Sequence, residues 1–352
     1  MRRRPLLGAL AALPGWAALP ALGLQPRTLR FPRDHGAHPD LRTEWWYVTG
    51  AVTAGERIFG FQLTFFRSRV DVAQALSSGF AARQLVFAHA AVTDLQGRKL
   101  WHDQRIARAG FGVAQADTED TRVHLRDWHL ERAADGRYTA RLPARDFGLE
   151  LQLAPTQPLL LQGREGLSRK GPQPEQASHY YSLPHLAASG TLALQGRRFP
   201  VQGTAWLDHE WSEALLHPDA VGWDWIGMNL DDGSALTAFQ LRRQDGSALW
   251  DGGSFRTADG RTAIAANGQT RFEPTRRWTS ALSGATYPVE WVVRTPAEAY
   301  TVRALLDNQE LDSRTSTGGI YWEGLSELVD SRGRRVGRGY LEMTGYAQRL
   351  RL

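Results

Sequence analysis

Short runs of alternating apolar and polar residues, each closed by a glycine-containing turn, recur along almost the whole chain. Only an antiparallel β-architecture uses such a pattern throughout. Phe59, Phe61, Leu63 and Phe65 share one face of a run whose other face carries Gly60, Gln62 and Thr64. Leu149, Leu151 and Leu153 alternate in the same way with Glu150 and Gln152. Turn pairs follow at Gln96-Gly97, Asp135-Gly136, Gln195-Gly196, Asp232-Gly233, Asp245-Gly246, Asp259-Gly260 and Asn267-Gly268. Too little helical sequence separates them for βαβ crossovers. Asp71–Arg83 is the one segment read as a helix or mobile loop, and residues 162–176 read as a long surface loop.

The chain also matches itself when slid by 178 positions. Trp45-Trp46-Tyr47-Val48 falls on Trp223-Asp224-Trp225-Ile226, Gly55 on Gly233, and Phe61-Gln62-Leu63 on Phe239-Gln240-Leu241. Each copy reads as a Trp-rich strand, a turn and a second strand, a hairpin opening one half of the protein. Two antiparallel halves must protect their edges, and closing each sheet into a barrel does so. The expected fold is all-β, two tandem lipocalin-like antiparallel barrels, with a signal segment at 1–25 and domains at 26–217 and 218–352.

Arg2, Arg3 and Arg4 precede an uncharged apolar stretch reaching Leu24 that is broken by Pro5, Gly8, Pro14, Gly15, Pro20 and Gly23. That layout predicts an export signal and a periodic break-up unsuited to a permanent span, through either the twin-arginine or the general route. Removing the three leading arginines lowers the formal charge from +5 to +2. The remaining arginines are scattered among acidic residues, which excludes a nucleic-acid stripe. Lysine occurs only at Lys99 and Lys170, a bias that genome composition explains. There is no cysteine, so disulfides and thiolate metal sites are excluded, while a mature chain of over 300 residues can bury a large core without them.

The functional signal lies among the 13 tryptophans. Asp208-His209-Glu210-Trp211 is the densest meeting of titratable and aromatic groups, and it lies just before the second copy of the repeat. Strand alternation sends Asp208 and Glu210 to one face and His209 and Trp211 to the other. His209 with Trp211, joined by a carboxylate from Glu44, Glu323 or Glu342, is the preferred catalytic set. Asp208 and Glu210 are either catalytic or a buried pair bridging the halves. Trp45, Trp46, Tyr181, Trp223, Trp225 and Trp322, with Glu44 and Glu323, are the candidate ligand contacts. His89 reads as a satisfied core histidine. His35 and His38 with Asp34 or Asp40 are a weak metal pattern, and no metal or other cofactor is expected. No Gly-x-Ser-x-Gly elbow, His-Glu-x-x-His, P-loop or dinucleotide fingerprint is present. Ser182, near His179 and His185, lacks the strand-to-helix turn of a nucleophile.

Phe31-Pro32-Arg33-Asp34-His35-Gly36-Ala37-His38-Pro39, Glu44-Trp45-Trp46-Tyr47-Val48-Thr49-Gly50, Ser178-His179-Tyr180-Tyr181-Ser182, Ala205–Ser212, Gly222-Trp223-Asp224-Trp225, Tyr321-Trp322-Glu323-Gly324 and Gly339–Tyr346 together carry a family resemblance. The chain resembles the carotenoid 1,2-hydratase (hydroxyneurosporene synthase) and AttH-like family, whose secreted relatives are described as predicted hydrolases. The resemblance implies two fused lipocalin-like barrels and cofactor-free addition of water to an isoprenoid double bond, with His209 and Trp211 matching residues implicated in the hydratases. Such chemistry needs a protonated acid and an aromatic cage for a carbocation. Three functions remain: an enzyme acting on a hydrophobic small molecule, a periplasmic carrier of a lipophilic ligand, or an envelope interaction protein associating with a membrane surface or transport complex.

Overall fold

The computed structural model describes residues 24–350. Most of the expected signal segment therefore lies outside the described residues. Within them the chain is almost entirely strand, in two antiparallel sheets of 13 and 10 strands. The first sheet uses strands between Thr43 and Ala214, and the second begins at Gly222 and ends at Met343.

Both sheets are meanders whose first and last strands pair with each other. In the first sheet Thr43–Ala54 lies between Arg57–Arg69 and Arg197–Ala214, and the order runs outward in both directions to Lys99–Arg108 and Ala114–Ala116. Those two edge strands are the only sequential neighbours in the circle without a ladder. One core nevertheless joins Val86 and Ala88 near one edge to Ala114, Val123 and Leu125 at the other. This half is a nearly closed barrel. The second sheet has the same plan, with Gly222–Leu230 between Ala235–Arg242 and Arg335–Met343. Its edges are Thr262–Ala265, almost wholly exposed, and Arg271–Thr279, and they do not pair. The all-β expectation of two sheet-built halves holds, the first half nearly closing into a barrel, while the end strands of the second sheet are not hydrogen-bonded to each other.

The alternation read from the sequence sets the cores. Phe59, Phe61, Leu63 and Phe65 are fully buried in the first core, as are Leu149, Leu151 and Leu153. Gly60, Gln62 and Thr64 face the second half instead: a β-carbon on Gly60 would lie 2.6 Å from the Tyr340 hydroxyl oxygen. A third core seals this seam, built from Tyr47 and Trp206 of the first half and Trp225, Phe239, Leu325 and Tyr340 of the second. Of the seven turn glycines, all but Gly97 adopt positive φ; there Arg98 takes that conformation, at φ 50°. The segment Asp71–Arg83 forms only a four-residue helix, Asp71–Gln74, and residues 162–176 contain a short strand, Leu167–Arg169.

The 178-residue repeat holds for the first strand of each hairpin and slips in the second. Val48 pairs with Leu63 across the turn at Gly55-Glu56, whereas Trp223, the counterpart of Trp45, pairs with Leu241. The offset is three residues, because the second hairpin turns earlier in the repeat: it closes at Leu230 and Ser234, the counterparts of Val52 and Glu56, where the first closes at Ala54 and Arg57. An odd slip reverses the side chains. Phe61 and Leu63 therefore enter the first core, while Phe239 and Leu241 enter the seam.

Candidate functional site

Three adjacent strands, Thr43–Ala54, Arg197–Ala214 and Ala177–Leu194, separate two buried polar clusters. Their registers place Trp45 opposite Glu210, Tyr47 opposite Asp208, Tyr180 opposite Glu210 and Ser182 opposite Asp208. All of these face the seam. The alternate set, Glu44, Trp46, Tyr181, His209 and Trp211, faces the interior of the first barrel. A single sheet thus carries two polar sites back to back.

On the interior side the groups form a hydrogen-bonded chain. Arg27 pairs with Asp34, which accepts from His38 Nε2 at 3.0 Å. His38 Nδ1 and His209 Nε2 reach the same Glu44 oxygen, Oε1, at 2.7 and 2.9 Å. Tyr181 lies 3.2 Å from His209 Nδ1 and 2.7 Å from His35 Nδ1. Trp211 stacks on His38 with centroids 4.0 Å apart, and Trp46 on His209 at 4.6 Å. Burial pushes His209 down to about 4, although Glu44 opposes the shift. A neutral His209 can donate Nε2–H to Glu44 and accept from Tyr181 at Nδ1. Burial would raise the Glu44 carboxyl, but bonds from His209 and His38 outweigh it and hold it well below the carboxylate range. His38, Glu44 and His209 bring three donor atoms together, as one metal ion would require. Each atom is already committed to a hydrogen bond, and the Arg67 guanidinium, 2.8 Å from Glu44 Oε2, opposes a further cation there. The sequence pattern of His35 and His38 with Asp34 or Asp40 is thus resolved into His38 between Asp34 and Glu44, with His35 on Tyr181.

On the seam side lies a cavity of about 810 Å³. Its wall includes Trp45, Tyr47, Tyr180, Asp208 and Glu210 from the first half, and Trp223, Trp225, Phe239, Tyr321, Glu323 and Glu342 from the second. Glu44 and Arg67 contribute at one end. Asp208 accepts from Ser182 at 2.5 Å, from Trp206 at 2.7 Å and from Tyr180 at 2.7 Å. Burial still pushes it up to about 7. Glu323 and Glu342 stand directly opposite each other on neighbouring strands. Burial, and then the second carboxyl, push Glu323 well above the usual range, and burial pushes Glu342 up to about 7. Two like charges in one dry site cannot both persist, so the pair holds a proton near neutral pH. Tyr47 and Tyr321 flank Glu323, whose Oε1 has no hydrogen-bond partner. His89 bonds to Tyr321 and Ser316, both at 2.8 Å, and burial lowers it to about 3, so it is a neutral, satisfied member of the wall.

The sequence candidates are therefore divided. Asp208, Glu210, Glu44, Trp45, Trp223, Trp225 and Glu323 line the cavity. His209, Trp211, Trp46 and Tyr181 lie behind the same sheet, and Trp322 is in the core of the second half, its Nε1–H donating to the Asp307 carbonyl at 2.7 Å. Ser182 is a ligand of Asp208, not a free hydroxyl. Sequence reasoning missed Tyr47, Tyr180, Tyr321 and Lys170. The phenols were legible as neighbours, one strand position away, of chosen residues. Lys170 sits in an aperiodic connection, where nothing but its rarity set it apart.

Fold and site define a two-sheet β-protein that encloses an aromatic cavity with protonatable carboxyls at the junction of its halves. The chain belongs to the AttH-like family, whose model matches residues 23–346. A crystal structure assigned to AttH from Nitrosomonas europaea is 50% identical, with a TM-score of 0.86 over 93% of this chain and 99% of that one. Kievitone hydratase from Nectria haematococca shares the fold at 14% identity, with a TM-score of 0.68 over 87% of this chain and 89% of that one. CghA, solved with Sch210972, does so at 13% identity and a TM-score of 0.52, covering 86% and 88%. No protein of curated function matches the chain.

Proposed function

We propose that this is an exported enzyme acting on a hydrophobic, isoprenoid-like molecule by cofactor-free acid catalysis in the junction cavity, adding water to a carbon–carbon double bond or removing it. The observation that carries the reading is the Glu323–Glu342 pair, two buried carboxyls opposite each other in an aromatic wall, both raised by burial. Glu323, with a partner-free oxygen, gives its proton to one alkene carbon. The cation formed on the other carbon lies against the faces of Trp45, Trp223, Trp225 and Tyr180. Water adds there, and its surplus proton returns to the carboxylate pair, so that one water is consumed and the acid restored. Kievitone hydratase, which shares the fold, is a hydratase by name, and the sequence resemblance to carotenoid hydratases points the same way. His209 and Trp211 are positioning residues in this mechanism: they lock the strand that presents Asp208 and Glu210.

The test is turnover of prenylated and carotenoid alkenes, followed as a mass gain or loss of one water. Glu323→Gln is expected to lose more than a hundredfold in kcat while ligand binding is retained. Full turnover by that variant, with loss in His209→Gln, would move the chemistry to the barrel interior. Tight binding without turnover by the native protein would favour a periplasmic carrier, the reading supported by the largely apolar wall.

A further inference from the structure

Lys170 is one of two lysines in a chain that otherwise uses arginine for every side-chain cation of its 42 Lys and Arg residues. Lys99 lies over Trp101 on a strand that carries no fully buried residue. Lys170 is 6% exposed and on the wall of the junction cavity. Its Nζ lies 3.0 Å from Glu210 Oε1, 4.2 Å from the centre of the Phe239 ring and 4.9 Å from that of Tyr180. Ser178 donates to the same Glu210 oxygen, Oε1.

We propose that the molecule bound in this cavity carries a ketone or aldehyde oxygen, seated on the Lys170 ammonium. The inference rests on the reading of the cavity as a small-molecule site. An ammonium has three N–H donors, and Glu210 is the one charged partner of this one among the described residues. The two aromatic rings hold Nζ in place without supplying a conventional acceptor, so its remaining N–H groups need a neutral oxygen from the ligand. Charge decides the class of that oxygen. Glu210 balances Lys170 and Glu44 pairs with Arg67, so an added carboxylate or phosphate seated on Lys170 would meet Glu210 with Arg349 as the one other cation of the wall. A hydrocarbon would displace water from the remaining donors and offer no acceptor in its place. Lysine suits this task where arginine does not: a compact, single-point donor addresses one carbonyl oxygen, whereas a guanidinium fork is matched to bidentate anions.

The experiment uses the mature chain and four probes on one trimethylcyclohexenyl frame: β-ionone, β-ionol, their deoxygenated hydrocarbon, and the two-carbon-longer carboxylate β-ionylidene acetate, with affinity read from tryptophan quenching. β-Ionone is expected to bind about tenfold tighter than either the hydrocarbon or the carboxylate, the equivalent of one net hydrogen bond to a charged group. Lys170→Met should erase that preference and leave hydrocarbon affinity unchanged. Glu210→Gln, which keeps the lysine and folds independently of the first variant, should shift preference towards the carboxylate by about tenfold. Equal binding of ketone and hydrocarbon by the native chain, or a ketone preference that survives Lys170→Met, would overturn the inference and leave the cavity reading intact. Failure of all four probes to bind would overturn both.

Discussion

Asp208 shows how one residue's surroundings become a property of the whole protein. Its folded value is raised from 3.8 to about 7 by burial, so between those limits the native state keeps a proton that the unfolded chain gives up. Stability contributed by the protonated form is full below about 4 and is lost as pH rises towards 7. Five histidines act in the opposite sense, His102 among them, which burial also lowers. Burial lowers His35 and His89 to about 3 and His179 and His209 to about 4, so the unfolded chain takes up protons below about 6.5 that the native state refuses. Their contribution is lost as pH falls. The two effects overlap between pH 4 and 6.5, and a melting curve of the native protein shows their sum. Asp208→Asn separates them: it should melt several degrees below the native chain at pH 4.5, where bonds from Ser182, Tyr180 and Trp206 are compromised, and the gap should narrow steadily to pH 8. A gap independent of pH would mean that Asp208 is charged throughout. Turnover carries a related sign. The acid of the Glu323–Glu342 pair must be protonated, so the rate should fall as pH rises through about 7, the value to which burial brings Glu342. A rate that rose through that range would exclude the pair as the proton source.

At the scale of the element, the strand Arg197–Ala214 is the piece on which both sites depend. Trp211 is fully buried, stacks on His38 and packs into the first core. Trp211→Ala should cost about 3–5 kcal/mol in urea unfolding, the usual price of a large aromatic, while ligand affinity in the junction cavity stays near native because the ring is on the far side of the sheet. A loss of affinity larger than the loss of stability would show that the two faces communicate. Backbone approach limits these strands as well. Gly190 sits at φ 146°, and a β-carbon there would fall 2.0 Å from the Glu150 carbonyl oxygen, so Gly190→Ala should unfold the first barrel or leave it insoluble. Much of this was legible before any coordinates. The period-two pattern of Phe59–Phe65 and Leu149–Leu153 named the core face correctly, and the parity of Asp208–Trp211 separated the two clusters. What parity cannot show is what covers the outer face. Thr64 and Gln62 look like solvent-facing residues, yet both are buried because a second sheet lies on them. Nor can a gapless repeat show a slip at the turn: Phe239 copies Phe61 in sequence and faces the opposite way in space. Lys170 was illegible for a third reason, since a connection without period gives no direction to any side chain.

The whole molecule is organised by its seam. Beyond the aromatic core, polar contacts cross it on every side: Asn229 to the Ala205 carbonyl at 3.1 Å, Thr93 to Gln309 at 2.7 Å, Ser254 to Gln162 at 2.8 Å, and His89 to Tyr321 and Ser316. Each half thus buries one face of its sheet inside itself and the other against its neighbour. If the first half stood alone, Tyr47, Trp206 and Gln62 would be stripped of cover, and the second half would expose Trp225, Phe239 and Tyr340 from a sheet whose end strands are not hydrogen-bonded to each other. The halves are therefore expected to unfold as one cooperative unit, with a single calorimetric transition and coincident near- and far-ultraviolet dichroism. Residues 26–217 expressed alone should bind a hydrophobic dye and aggregate. Gly60 offers a finer probe of the same coupling. It lies where the Arg57–Arg69 strand meets Leu325 and Tyr340, with room for a hydrogen atom and little else. Gly60→Val leaves the first core untouched, since its side chain points out of the barrel, and it forces the sheets apart where they are closest. Both the melting temperature and the affinity for apolar probes should fall together, because the cavity wall is assembled from both sheets. If stability fell while binding stayed native, the cavity would be formed by one half alone, and the seam would be a structural joint and not the place where the two sheets build a common site.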